Sequence, residues 1–236
     1  MKKLFLMAAV VLFTTVSFAQ QKKDWAQFGR YEKANAELLT APEVAFMGNS
    51  ITDGWYGQDK EFFNKNNFAG RGISGQTTAE MLVRFRKDIV ELKPKAVVIL
   101  AGINDIAENN GSIKLENVLA NIASMADLAQ AHKIKVILCS VLPCNRFSWR
   151  PQIDPTESVK TLNSLIKEYA GKNKLTYVDY YSALTNDQGG LSETLSKDGC
   201  HPVFNCYTMM EGIVTKAINK TLKNKKAYFV SAPKEQ

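Results

Sequence analysis

A serine nucleophile needs a base, and this chain of 236 residues holds only two histidines. His201 stands in the stretch SKDGCHPVF, three residues after Asp198. A D-x-x-H turn lets the carboxylate fold back onto the imidazole Nδ1–H. That contact fixes the tautomer, stabilises the imidazolium and leaves Nε2 to accept a proton. The same residues also suit an Asx-type turn closed by Pro202, or a metal ligand, although no second histidine stands near to share an ion. His132 ends an amphipathic segment, where a polar or cationic side chain is favoured. The candidate nucleophile is Ser50, in FMGNSITDGW, two residues after a short apolar run. A helix N-cap or turn serine is the alternative. The sharp G-x-S-x-G elbow is not met, since Thr52 takes the place of the second Gly. No Gly-Lys-Ser/Thr is present here to make a phosphate loop.

Acyl transfer further requires donors for a developing oxyanion. Asn104, in LAGIND, offers a side-chain amide, and Gly75, in RGISGQTT, offers a backbone N–H that a ligand can approach closely. Both are also ordinary turn residues. Their conjunction favours catalysis: Ser50, Gly75, Asn104 and the Asp198–His201 pair follow different strand-like segments, at the sheet edge where ligands bind. A further loop, PCNRFSWRPQIDP (143–155), brings Arg146, Phe147, Trp149 and Arg150 to that edge. Such a loop can stack on a sugar ring or pair with an anion, or Trp149 can simply pack the loop down.

Elements that could position these residues alternate along the chain. Strands are expected at 44–48, 68–73, 96–102, 135–141 and 175–184, from short β-branched or aromatic runs bounded by Gly, Pro or charge. The third and fourth are nearly continuous apolar runs, as in strands buried on both faces of a parallel sheet. Helices are expected at about 24–40, 76–92, 113–132, 155–171 and 205–224. Met81, Leu82, Phe85, Ile89 and Leu92 mark one helical face, and Leu115, Val118, Ile122, Met125 and Leu128 another. This alternation implies a doubly wound α/β sandwich with right-handed crossovers.

The segments GNSIT, GISGQTT, GIND and DGCHP resemble the four ordered blocks of the SGNH hydrolases, the GDSL esterase/lipase family. They span 48–202, and YTMMEGIVTKAI resembles the family's final helix, so nearly all of the chain after residue 20 is covered. The resemblance implies a three-layer α/β/α sandwich with a central parallel five-stranded sheet, flavodoxin-like in kind. Carried over by position, it makes Ser50 the nucleophile, His201 the base and Asp198 its orienting partner. The Ser50 and Gly75 N–H groups and the Asn104 amide would form the oxyanion hole. It implies ester hydrolysis with no metal and no cofactor. One departure is Asn49, where many members have Asp; it spares every catalytic position. Asp53 and Asp105 then read as loop-ordering hydrogen bonders.

Composition narrows the partners. The first 19 residues read as a secretory signal: Lys2 and Lys3, then apolar Leu4 to Phe13, then Ser17-Phe18-Ala19 at the cleavage site. Residues 20–236 then form one hydrolase domain, periplasmic or secreted, with no stable membrane insertion and no lipid-bearing Cys at the cleavage point. The net charge falls from +7 to +5 once Lys2 and Lys3 are removed. The remaining basic residues are scattered apart from a Lys-rich final helix, which argues against nucleic acid as a partner. Export, the polar loop around Trp149 and no long apolar lid favour short acyl esters on carbohydrate. The rivals are a lysophospholipase or platelet-activating-factor-acetylhydrolase-like lipid esterase, and a non-catalytic carbohydrate-binding module. The cysteines at 139, 144, 200 and 206 form two close pairs in sequence. Bridges 139–144 and 200–206 are open in an exported protein, although Cys139, inside a strand-like run, reads as a free buried thiol.

Overall fold

Val44–Gly48, buried at every position, is an interior strand (β1) of a computed structural model that describes residues 24–234. The signal expected at 1–19 lies outside the described residues. In chain order the first half runs α1 (Glu32–Ala36), β1, α2 (Ser50–Gln58), α3 (Lys60–Lys65), β2 (Phe68–Gly72) and α4 (Thr78–Phe85). It continues with β3 (Ala96–Leu100), α5 (Ile103–Ile106), α6 (Leu115–Ala131) and β4 (Lys135–Cys139). The second half closes with α7 (Thr156–Lys172), β5 (Thr176–Val178), α8 (Tyr180–Leu184) and α9 (Phe204–Leu222).

The five strands pair in parallel in the order β2-β1-β3-β4-β5. Parallel pairing requires crossovers, and the helices that make them cover both faces. That is why β1 and β3 read as unbroken apolar or small runs. α6 packs between α4 and α7 and onto β4, while α9 lies along β3, β4 and β5 and meets α2. In α6 the buried residues Val118, Ile122, Met125, Ala126 and Ala129 recur at three- and four-residue steps. The winding direction reverses between β1 and β3, and the crevice at their carboxyl ends is where such a sheet binds ligands.

The expected elements form with three changes. The strand expected at 175–184 stops at Val178, because Asp179 caps a helical turn: its Oδ1 accepts the Ser182 N–H at 2.9 Å. The helix expected at 24–40 shrinks to Glu32–Ala36, since the Asp24 carboxylate accepts the Phe28 and Gly29 N–H groups and folds the chain into a turn. The helix expected at 76–92 is α4 followed by a π-helical turn, Arg86–Val90. All four cysteines are buried free thiols, so neither the 139–144 nor the 200–206 bridge is made.

Candidate active site

Ser50 opens α2, but the helix is capped by its neighbour. The Asn49 side chain accepts the Ile51 N–H at 3.1 Å, leaving the Ser50 hydroxyl free for other partners. α2 is clamped from the far side by α9. Tyr207 donates its hydroxyl to the Ile51 carbonyl at 2.8 Å, and Trp55 stacks between Phe62 and Tyr207, 5.5 Å from each. The Trp55 indole N–H donates to Glu211 at 3.0 Å. On its other side α2 lies so close to β2 that a Cβ on Gly72 would stand 2.2 Å from the Asp53 backbone nitrogen. Only glycine fits there.

The structure brings Ser50, Asp198 and His201 into one chain of hydrogen bonds. Ser50 Oγ lies 2.9 Å from His201 Nε2, and His201 Nδ1 lies 2.6 Å from Asp198 Oδ2. Asp198 Oδ1 accepts the His201 N–H at 2.8 Å, the Cys200 N–H at 2.9 Å and the Ser196 hydroxyl at 3.1 Å. Burial alone would raise the Asp198 pKa, but the bonds from the His201 N–H, its ring and Cys200 outweigh it and hold the pKa at about 2. An ionised carboxylate accepts the hydrogen bond that Nδ1–H donates, so the ring proton stays on Nδ1 and Nε2 presents its lone pair to the serine hydroxyl.

Gly75 and Asn104 line the same cleft as Ser50 and His201, a space of about 640 Å³. Gly75 adopts φ +82°, a left-handed conformation that costs glycine little. Its N–H donates to no acceptor among the described residues. One Asn104 amide hydrogen goes to the Gln76 carbonyl at 2.9 Å, leaving the second available. Next to it, burial raises the Asp105 pKa against the hydrogen bonds from the Thr78 N–H and hydroxyl, which lock the start of α4.

Several contributors carry no motif in the sequence. Arg84, fully buried on α4, donates to the carbonyls of Gly48 and Arg71 and to the Gln76 amide oxygen at 2.6 Å. It thus ties the end of β1, the end of β2 and the Gly75 loop together, its charge balanced by Asp88 at 3.0 Å. Asn109 donates to the Gly75 carbonyl at 3.1 Å and accepts the Trp149 indole N–H at 3.4 Å. The Asn109-Asn110-Gly111 turn signal, just past Asn104, was the trace of it in the sequence. Asp53 and Ser74 also line the cleft and hydrogen-bond each other at 2.8 Å, with Arg30 3.4 Å from Asp53.

Of the loop residues, Trp149 stands at the cleft with its ring 5.7 Å from the His201 ring. Phe147 is buried beneath it, 4.9 Å away. Arg146 and Arg150 do not line the cleft. The Arg146 side chain lies along Gly199 on the back of the Asp198–His201 turn. Among the described residues no three His, Cys, Asp or Glu side chains group as metal ligands, and no helix is long and apolar enough to cross a membrane.

Residues 46–203 match the model of the GDSL-like lipase/acylhydrolase family. The solved structure of a GDSL-like lipase from Bacteroides thetaiotaomicron is 44% identical, with a TM-score of 0.80, and the match covers 83% of this chain and 98% of that one. A second solved structure, from Bacteroides fragilis, is 45% identical with a TM-score of 0.82, over 85% of this chain and all of that one. The esterase TesA of Pseudomonas aeruginosa is 29% identical over 133 residues, 55% of this chain and 58% of that protein. The chain thus spans between half and two thirds of the length of the curated relatives it matches, at 55% and 58%.

Proposed function

The chain belongs to the GDSL-like lipase/acylhydrolase family, and from that premise we propose that it is an exported serine esterase cleaving short acyl esters, acetyl above all, on carbohydrate. One observation carries the reaction: the unbroken relay from Ser50 Oγ through His201 to Asp198, at 2.9 Å and 2.6 Å. Ser50 Oγ attacks the ester carbonyl as His201 Nε2 takes its proton. The oxyanion is received by the Ser50 and Gly75 N–H groups and the Asn104 amide. His201 then gives the proton to the leaving alcohol, and water repeats the sequence on the acyl-enzyme. These steps ask for no metal and no organic cofactor.

The substrate class rests on the cleft lining. Asp53, Ser74, Asn104 and Asn109 offer hydroxyl partners, and Trp149 offers an aromatic face for a sugar ring. Export rests on the leading segment, and a lipoprotein of Bacillus subtilis, 26% identical over 164 residues, is in keeping with it. Hydrolysis of p-nitrophenyl acetate and labelling by a fluorophosphonate probe test the reaction. Ser50→Ala abolishes both, and wild-type turnover in that variant overturns the nucleophile assignment. A preference for C8 or longer chains replaces the acetylesterase reading with the lipid one. Glycan binding without labelling leaves only a binding module.

A further inference from the structure

The chain beyond α9 meets that helix again in reverse order, as a segment that belongs to no helix or strand. Its N–H and C=O groups still need partners, and three asparagines supply them. Asn219 accepts the Lys226 N–H at 3.1 Å and donates to the Lys226 carbonyl at 3.0 Å. Asn66, at the end of α3, accepts the Phe229 N–H and donates to the Phe229 carbonyl, both at 2.8 Å. Asn205 does the same for Lys234, at 2.8 Å and 2.9 Å. A side-chain amide offers a donor and an acceptor, as a peptide group does, so each asparagine stands in for a neighbouring strand.

Between the second and third of these clips, Ser231 has a different partner. Its N–H donates to Glu211 Oε2 at 2.9 Å, and Glu211 Oε1 accepts the Trp55 indole N–H at 3.0 Å. Glu211 is fully buried on α9, and Trp55 stands on α2 five residues after Ser50. One carboxyl group therefore has an oxygen on the returning segment and an oxygen on the helix that begins at Ser50. We propose that residues 226–234 are a positioning strap for α2: the Ser231 N–H holds Glu211, Glu211 holds Trp55, and Trp55 fixes the helix that presents Ser50.

Without the Ser231 N–H, a buried carboxyl oxygen loses its donor, and Glu211 must turn from Trp55 to find another. The second support of α2 from α9, Tyr207 on the Ile51 carbonyl at 2.8 Å, does not pass through the segment and keeps the helix in its place at that point. The strap thus trims the angle of α2 rather than forming it, and a small misplacement of a reacting atom is costly in rate. Ser231 and Glu211 act through Trp55 as positioning residues.

The test is Ser231→Pro in the full chain, which removes the one N–H. By NMR, the Trp55 indole N–H should exchange with deuterium at least about tenfold faster than in wild type. On p-nitrophenyl acetate kcat should fall about tenfold with KM within about twofold, measured well below the melting temperature. Glu211→Gln forfeits the same bond from its other end and should reproduce the fall in kcat, and the double variant should lose no more than either single one. It also reads that bond if the proline variant does not fold. Unchanged Trp55 exchange shows that the strap stops short of α2 and overturns the proposal. So do additive losses in the double variant, or a lower melting temperature with kcat unchanged. The kinetic arm rests on Ser50 as the nucleophile; a wild type without turnover defeats that reading, while Trp55 exchange still decides the strap.

Discussion

Asn49 caps the helix that Ser50 begins, and the division of labour is what frees the serine. At the start of α2 a Ser is a good N-cap, and a serine occupied in that way cannot hold its hydroxyl 2.9 Å from an imidazole. With Asn49 accepting the Ile51 N–H, the cap and the candidate nucleophile are adjacent but separate residues.

Asn49→Ala should therefore lower stability by about 1 kcal/mol in urea unfolding, the usual cost of a lost cap. Asn49→Asp keeps the acceptor and sets a negative charge against the helix N-terminus. It should fold, and its kcat on p-nitrophenyl acetate should stay within about tenfold of wild type. A loss comparable to that of Ser50→Ala would mean the amide at 49 has a part in the reaction itself.

Asp198→Asn offers a cleaner test of the relay than removal of the side chain. Its oxygen can keep the bonds from the His201 and Cys200 N–H groups, while its NH2 group faces Nδ1 and demands an acceptor there. The ring then carries its proton on Nε2 and points it at the serine. A fall in kcat on the order of 10⁴ is expected, with little change in melting. The wild-type carboxylate, with a pKa of about 2, contributes stability that is fully present above its ordinary value of 3.8 and is lost as pH falls through 2. Acid inactivation at pH 5 thus cannot come from this group.

Asn104→Ala should reduce kcat by about 10²–10³ while KM moves little, because the amide serves a charge that exists only after attack. The buried Gln76 carbonyl also loses its donor, so a stability cost of about 1–2 kcal/mol is expected beside the kinetic one. A rise in KM with kcat unchanged across ester substrates would place Asn104 in ground-state binding instead.

Glu211 predicts a pH dependence far from the chemistry. Burial first, and then Asp59, raise its pKa from 4.5 to about 7, against the bonds it accepts from Ser231 and Trp55. A raised carboxyl binds its proton more tightly in the folded chain. Its contribution is whole below about pH 4.5 and is lost as pH rises through 7, a fall of up to roughly 3 kcal/mol. Glu211→Gln cannot ionise, so urea midpoints measured from pH 4.5 to 8 should lose that slope. The variant forfeits the Ser231 bond and starts about 1 kcal/mol lower. An unchanged slope would show that Glu211 is already ionised in the native state.

What the sequence made legible follows from locality. β1, β3 and β4 read clearly because burial on both faces leaves unbroken apolar runs. Ser50 and Asn104 stand just after such a run, and Gly75 just after the shorter, Gly-punctuated β2. β5 was overdrawn because Tyr177, Tyr180 and Tyr181 favour strand, and only the Asp179 cap, a side-chain event, ends it. Arg84 and Glu211 were invisible, and Asn109 left only a turn signal, for a different reason. Each acts through partners far away in sequence: Arg84 on Gly48, Asn109 on Gly75, Glu211 on Trp55 and Ser231. The cysteines misled in the same way, since nearness in sequence suggested bridges that the fold does not make.

The hydrogen bond between Ser50 and His201 joins residues 151 positions apart. During synthesis the serine leaves the ribosome long before the histidine that would activate it. A chain truncated anywhere short of His201 carries Ser50 without that partner. If Ser50 is the nucleophile proposed, probe labelling there is a stopwatch for completion of the fold: it should begin only when the turn bearing His201 has docked on α2.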